Sequence, residues 1–104
     1  MKRYEMIKKH EDFTNIINNG KKKSGKYIII FSLSKKFEKP NFGIAVGKKV
    51  GNAVERNKIK RQVRNIIDKN RFLFQNFTNY IIMIKRGINT ASFNEIEEDL
   101  KKCL

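Results

Sequence analysis

The fold is decided by the segment KKVGNAVERNKIKRQVRNIIDKNR, which runs from Lys48 to Arg71. It holds nine Lys or Arg residues against two acids, Glu55 and Asp68, and it carries helix signals at the same time. Like charges three and four residues apart destabilise a helix, so stability does not explain this density of cations. The segment therefore indicates a helix that meets an anionic partner.

The helix signals within this segment define its start and its two faces. Asn52 is a good N-cap, and Glu55 stands three residues later, as in a capping box. Apolar residues repeat with the helical period and predict one buried face: Ile59, Val63, Ile66 and Ile67. The opposite, solvent-facing arc is predicted to hold Asn57, Lys60, Arg61 and Arg64. Arg56 falls near the apolar edge, so its guanidinium must reach around the helix or pair locally.

Length and charge limit the possible functions. A chain of 104 residues predicts one domain over 1–104, too small for two cores. Its formal net charge of +14 favours a polyanionic partner, either nucleic acid or an anionic membrane surface. A membrane-surface role needs a basic amphipathic helix with bulky apolar residues on its other face, which the central helix partly fits.

Apolar runs and cysteine usage favour a cytoplasmic protein. No run approaches the roughly 20 apolar residues of a membrane span, and the N-terminus lacks the apolar core of a signal peptide. Cys103 alone supports neither a disulfide framework nor a thiolate metal site. We therefore expect no membrane partner and no metal on the protein.

The remaining elements follow from periodicity. A loose basic arm over residues 1–9 precedes a helix that begins near His10 and stops at Asn19-Gly20. Alternating or continuous apolar runs predict strands over 26–33, 42–46 and 80–85, and a helix over 91–104 covers the sheet. Acids on that last helix are interpreted as solvated surface charge. The order predicts a mixed α+β sandwich in two layers.

Two strand faces suggest close approach or ligand binding. Gly43, Ala45 and Gly47 leave one face of their strand nearly bare, so another group can approach its backbone closely. Aromatic and apolar residues of the first helix and the following strand could border a groove flanked by lysines: Phe13, Ile17, Tyr27, Phe31, Lys21, Lys22, Lys23 and Lys26. Such surfaces bind single-stranded nucleic acid. For each residue taken separately, however, core packing is the stronger interpretation, and composition alone favours it for Phe13 and Ile17.

Catalysis by the protein itself is poorly supported. A nuclease needs clustered carboxylates for metal ions or paired histidines, and His10 is the single histidine. Gly47-Lys48-Lys49 lacks the spacing of a Walker loop. It could still hold a phosphate at the start of the helix, and an ordinary tight turn is equally consistent with it.

The residues also carry a family resemblance. The segment KKVGNAVERNKIKRQVRNII resembles the signature of the bacterial ribonuclease P protein subunits. Three further segments resemble other parts of the family: HEDFTNIINNG its first helix, FGIAVGKKVG its strand and turn, and NYIIMIKRG its last strand. The resemblance implies the αβββαβα fold, similar to the second domain of ribosomal protein S5. It implies a short extra strand around residues 22–25 and a left-handed crossover through the central helix, an exception to the right-handed rule.

Function follows from the same resemblance. The family's protein binds a catalytic RNA subunit, and the complex hydrolyses precursor tRNA to free the mature 5′ end with Mg²⁺ held at the RNA. The residues implied at the RNA subunit are Lys48, Lys49, Asn52, Arg56, Asn57, Lys58, Lys60, Arg61 and Arg64. The residues implied at the single-stranded 5′ leader are Phe13, Ile17, Lys26, Tyr27, Ile29 and Phe31. No catalytic residue is implied on the protein.

Two positions depart from the family pattern, and two other functions stay open. The central helix of the family bears an Arg-Asn-Arg motif, and Lys58 stands in place of its second Arg, which keeps the charge but loses bidentate geometry. Ile17 stands where an aromatic residue is frequent in the family. One alternative is a ribosome-associated or general RNA-binding protein of the same fold that processes nothing. The other, a metal-dependent nuclease acting alone, lacks ligands.

Overall fold

Three α-helices and four strands follow the order αβββαβα along residues 5–104, the part of the chain that the computed structural model describes. The helices are α1 (His10–Asn19), α2 (Ala53–Lys69) and α3 (Phe93–Lys102). The strands are β1 (Lys21–Ser24), β2 (Ile28–Ser34), β3 (Asn41–Ala45) and β4 (Thr78–Ile84). The predicted α+β class and element order are confirmed, including the short strand β1.

The four strands form one sheet in the order β1-β2-β4-β3. Strand β2 pairs antiparallel with both β1 and β4, whereas β3 pairs parallel with β4. A parallel pair needs a crossover connection, and α2 lies in the chain between β3 and β4. Helix α2 is therefore the crossover, and its left-handed sense stays a prediction.

One face of the sheet carries the larger core, under α2 and α3. Helix α2 buries the four predicted apolar residues, each contributing about 1.5–3 kcal/mol: Ile59, Val63, Ile66 and Ile67. Phe42, Phe74 and Tyr80 pack ring against ring with centroids 5.0 to 5.8 Å apart. Cys103 is part of this core, and burial raises the pKa of its thiol.

Helix α1 lies on the opposite face and forms a partial third layer. Its Ile16 packs with Phe31 and Ile81 in a second, smaller cluster. The bare strand face predicted from Gly43 is occupied by the Phe13 ring: a Cβ at Gly43 would lie 2.7 Å from Phe13 Cζ and 2.6 Å from Ile81 Cδ1. The close approach that the small residue permits is therefore made by α1.

The prediction of solvated charge on α3 is wrong for Glu97 and Asp99, which are both buried. The Asp99 carboxylate accepts the backbone N–H groups of Lys26 (2.7 Å), Tyr27 (2.8 Å) and Ile28 (3.1 Å). Burial of a charge is tolerated where such hydrogen bonds replace water. Asp99 thus ties the start of β2 to α3.

Glu97 joins α3 to the end of α2. Its carboxylate accepts a hydrogen bond from the Asn70 side chain at 2.9 Å and lies 3.3 Å from the Lys69 ammonium. The hydrogen bond from Asn70, followed by that from Lys69, holds the pKa of Glu97 below its ordinary value of 4.5. These contacts hold the end of α2 on the core.

The prediction of a loose arm over residues 1–9 is wrong for Met6 and Ile7; residues 1–4 lie outside the described residues. Met6 bridges in parallel to Phe42, and the Ile7 N–H donates to the Phe42 carbonyl at 2.7 Å. Glu5 is buried and forms an ion pair with Arg71. Strand β3 is an edge strand whose open backbone groups need partners, and the N-terminal segment supplies them.

Candidate RNA interface

The start of α2 is held by a complete capping box. The Asn52 side chain accepts the Glu55 N–H at 2.9 Å, and the Glu55 carboxylate accepts the Asn52 N–H at 3.0 Å, as predicted. The Asn89 side chain donates to the Val50 carbonyl at 2.8 Å and to Glu55 at 3.3 Å. The turn after β4 therefore fixes the direction of α2 and of the side chains along it.

All nine residues that the family resemblance implies at an RNA subunit lie at the surface. Six are exposed: Lys48, Lys49, Asn52, Asn57, Lys58 and Arg61. Three are half-buried: Arg56, Lys60 and Arg64. Arg56 pairs locally, because its Nε donates to the Asn52 carbonyl at 3.4 Å. The structure brings these side chains together along one helix and the basic turn that precedes it; we call this set the α2 surface.

Positive charge is concentrated on the α2 surface because α2 carries six Lys or Arg residues against two acids, Glu55 and Asp68. The Glu55 carboxylate accepts the Asn52 N–H, which caps the helix, and a hydrogen bond from the Asn89 side chain. Arrays of cations of this kind make the phosphate contacts that dominate nucleic-acid affinity.

A second surface lies on the α1 side of the sheet. The strand registers place Ser24, Ile29, Met83 and Ala45 side by side across all four strands. Ile29, Met83 and Ala45 are half-buried, so this row keeps some apolar surface open to solvent. At its edge the Lys85 ammonium donates to the Ser24 hydroxyl at 2.7 Å.

The neighbouring row of the same face is covered by α1. Phe31, Ile81 and Gly43 lie side by side there, and Phe31 is only 6% exposed. Phe13 and Ile17 of α1 are half-buried against this cluster. We use the term leader groove for the open row together with this α1 wall: Phe13, Ile17, Ile29, Ala45 and Met83. Phe31 supports the groove from beneath and offers no open ring for stacking.

Two predicted groove residues lie elsewhere. The predicted alternation places Tyr27 on the same side as Ile29, but its side chain packs against the core under α3, and its hydroxyl reaches Glu95 at 3.5 Å. The Lys26 ammonium lies over the Tyr27 ring, 5.2 Å from its centroid. Strand pairing begins only at Ile28, and Asp99 holds the amides before it, so the alternation does not extend to Tyr27.

Sequence reasoning missed Met83, and it placed Ala45 on a bare strand face without assigning this residue to the groove. Alternation along each strand indicates which residues share a face, but only the parallel pairing of β3 with β4 places these two side by side. The alternation in NYIIMIKRG offered a weak signal, since Met83 falls on the same face as Ile81.

Neither a metal cluster nor a membrane span is found in the described part of the chain. Among residues 5–104, no group of three or more His, Cys, Asp or Glu side chains is arranged to hold a metal ion. None of the described helices is long and apolar enough to cross a membrane.

Known proteins match this chain over nearly its whole length. The family model described as Ribonuclease P matches residues 1–104. The ribonuclease P protein component of Bacillus cereus is 32% identical over 102 residues, covering 96% of this chain and 88% of that protein. The RNase P protein of Staphylococcus aureus, at 27% identity, has a TM-score of 0.87 and covers 95% of this chain and 91% of its own. That of Thermotoga maritima, at 25% identity, also has a TM-score of 0.87, with coverages of 96% and 94%.

Proposed function

This chain belongs to the ribonuclease P protein family, the protein component of the ribonuclease that processes the 5′ end of tRNA, and we propose that it acts there by binding two RNAs. The α2 surface binds the catalytic RNA subunit. The leader groove binds the single-stranded 5′ leader of precursor tRNA. The protein thereby assists hydrolytic removal of the leader in the cytoplasm.

The observation that carries this proposal is the α2 surface. The helix begins at a complete capping box, and its apolar face is buried in the core. The exposed cations are consequently held in one array rather than on a mobile tail. A rigid array of Lys and Arg fixes the position of an RNA backbone as well as binding it.

The leader groove suits a different task. Its open row is apolar, and Lys85 at its edge supplies a positive charge. Unpaired bases can lie on apolar side chains while their phosphates meet lysines, which requires little sequence preference. This surface is therefore matched to a leader whose sequence differs among precursor tRNAs.

The chemistry is assigned to the RNA. Mg²⁺ bound to the catalytic RNA would activate the attacking water, and this chain would contribute binding and orientation of the two RNAs. Substrate positioning of this kind raises the rate without any catalytic side chain on the protein.

The test is cleavage of precursor tRNA at low Mg²⁺ by the protein alone, by the cognate RNA alone, and by both together. We expect no cleavage by the protein and a strong increase when protein is added to the RNA. Cleavage by purified, RNA-free protein would favour a nuclease acting alone. Absence of any increase on mixing would favour a general RNA-binding protein.

The leader groove is tested by Ile29→Ala. The substitution removes apolar surface from the open row of the leader groove, and from the methylene groups lost we expect KM for a precursor with a leader to rise about fivefold. Binding of leaderless tRNA should be unchanged. Ile44→Ala is the matched control, because Ile44 is also half-buried but packs on the opposite face of the sheet. Equal effects of the two variants on the precursor would exclude the leader groove.

A further inference from the structure

A cleft opens beside strand β1 on the face of the sheet that carries α2 and α3. Its volume is about 250 Å³. Strand β1 forms one wall, the connection between α2 and β4 forms another through Leu73 and Gln75, and the end of α3 closes it with Cys103 and Leu104. Its floor includes Ile30, which belongs to the core under the two helices. The cleft therefore lies on the opposite face of the sheet from the leader groove.

Two of the three lysines of β1 stand at the rim of this cleft. Lys21 and Lys23 line it, and at about 3.4 Å per residue their Cα atoms are about 7 Å apart. Lys22 points to the other face, because the register pairs it with Phe31 in the cluster under α1. Among the described residues, no Asp or Glu side chain lies in the lining. The rim of the cleft is therefore positively charged.

The interior of the cleft is largely apolar, and its walls are held in place. Ile30 and Cys103 are buried core residues, whereas Leu73 on the wall keeps 37% of its surface exposed. The Tyr80 hydroxyl accepts the Gln75 N–H at 2.8 Å, which ties the wall that carries Leu73 to β4. A preformed surface binds a ligand at a smaller entropic cost than one that must first be ordered. An aliphatic side chain entering the cleft would cover Leu73 without such a cost.

The cleft has no open aromatic ring on which a nucleic-acid base could stack. Tyr80 contributes the single ring of the described lining, and it is only 5% exposed. Single-stranded nucleic acid is held by bases stacked on open rings. An extended peptide is recognised instead through pockets for alternate side chains. The lining therefore suits a protein segment better than an RNA base.

We propose that this cleft docks a short, extended, acidic segment of a partner protein. Two carboxylates of the segment, on alternate residues, meet Lys21 and Lys23, and the aliphatic side chain between them points to the opposite wall at Leu73. Alternate residues of an extended chain are about 7 Å apart, which matches the spacing of the two lysines. Complementary charge of this kind selects the partner. The inference goes beyond the proposed function and does not depend on it.

The test measures binding of a fluorescein-labelled peptide, Gly-Glu-Leu-Glu-Gly, to the full-length protein by fluorescence anisotropy. Lys23→Glu places a like charge opposite the peptide and should weaken binding about tenfold. Lys22→Glu is the matched control, because it makes the same change of charge at the neighbouring exposed residue, on the other face of the sheet. We expect the control to change the affinity less than about twofold, as for an exposed charge outside the contact.

A change in the peptide tests the apolar contact without altering the protein. The peptide Gly-Glu-Ser-Glu-Gly keeps both charges and should bind about tenfold more weakly, from the apolar area lost. Equal affinities of the two peptides, equal losses in Lys22→Glu and Lys23→Glu, or no binding of either peptide would overturn the proposal. A uridine oligoribonucleotide that is weakened by Lys23→Glu alone and displaces the peptide would identify RNA as the occupant and overturn it too. So would a change in sedimentation confined to Lys23→Glu, which would identify a contact between copies.

Discussion

Asp99→Ala is expected to lower the free energy of unfolding by about 3–5 kcal/mol, the largest effect on stability that we predict for a single side chain. The carboxylate accepts three backbone N–H groups at the start of β2, and hydrogen bonds to charged groups contribute about 1.5–3 kcal/mol each. Water can replace the carboxylate at the partly buried amides of Lys26 and Tyr27, so the three contributions do not add in full, but the Ile28 amide is left buried without this acceptor. Urea unfolding followed by circular dichroism measures the change.

The neighbouring carboxylate Glu98 provides the control for Asp99. It lies on the same helix, is exposed, and pairs only loosely with Lys101 at 3.9 Å. Exposed pairs of this kind contribute about 0–1 kcal/mol, so Glu98→Ala should leave the unfolding curve nearly unchanged. A loss below about 1 kcal/mol for Asp99→Ala would mean that water replaces the carboxylate at no cost.

The double variant Lys58→Ala, Arg61→Ala is expected to weaken binding to the catalytic RNA about 10- to 100-fold at moderate salt. Both side chains are exposed on the α2 surface. Removing one cation that binds a phosphate lowers the slope of log affinity against log salt by about 0.7–0.9. Filter binding or fluorescence anisotropy across a salt series measures both the affinity and this slope.

The control for this variant separates position from total charge. Lys101→Ala, Lys102→Ala removes the same two charges from the formal +14, but at the end of α3. If RNA binding depends on the α2 surface, the control should retain most of its affinity and its full salt slope. Equal losses would show that net charge alone, rather than this helix, binds the RNA.

Local patterns in the sequence predicted the elements that depend on local interactions. The capping box of α2 and the helix stop after Asn19 follow from residues within one or two turns, and both are confirmed. Strand β1 was predicted only from the family resemblance, because its four exposed residues, KKKS, carry no strand pattern. It forms because its backbone completes the edge of β2.

The errors share one cause, which is pairing between distant parts of the chain. Tyr27 leaves the predicted face because Asp99, 72 residues later, holds its amide. Met6 is ordered because β3 presents an open edge at Phe42. The groove floor at Met83 needs a parallel register that no local pattern contains. The candidate site was therefore predictable on one helix and only partly predictable on the sheet.

Strand β1 has a consequence for how the protein avoids aggregation. It forms the outer edge of the sheet, where unpaired backbone groups could template strand addition by another chain. The side chains along this edge are Lys21, Lys22 and Lys23, all exposed. An incoming strand of a second copy would have to bring its own backbone against these three charges, which disfavours amyloid-like stacking. The same lysines that hide the strand pattern in the sequence therefore leave the edge of the sheet unpaired and disfavour the addition of another strand to it.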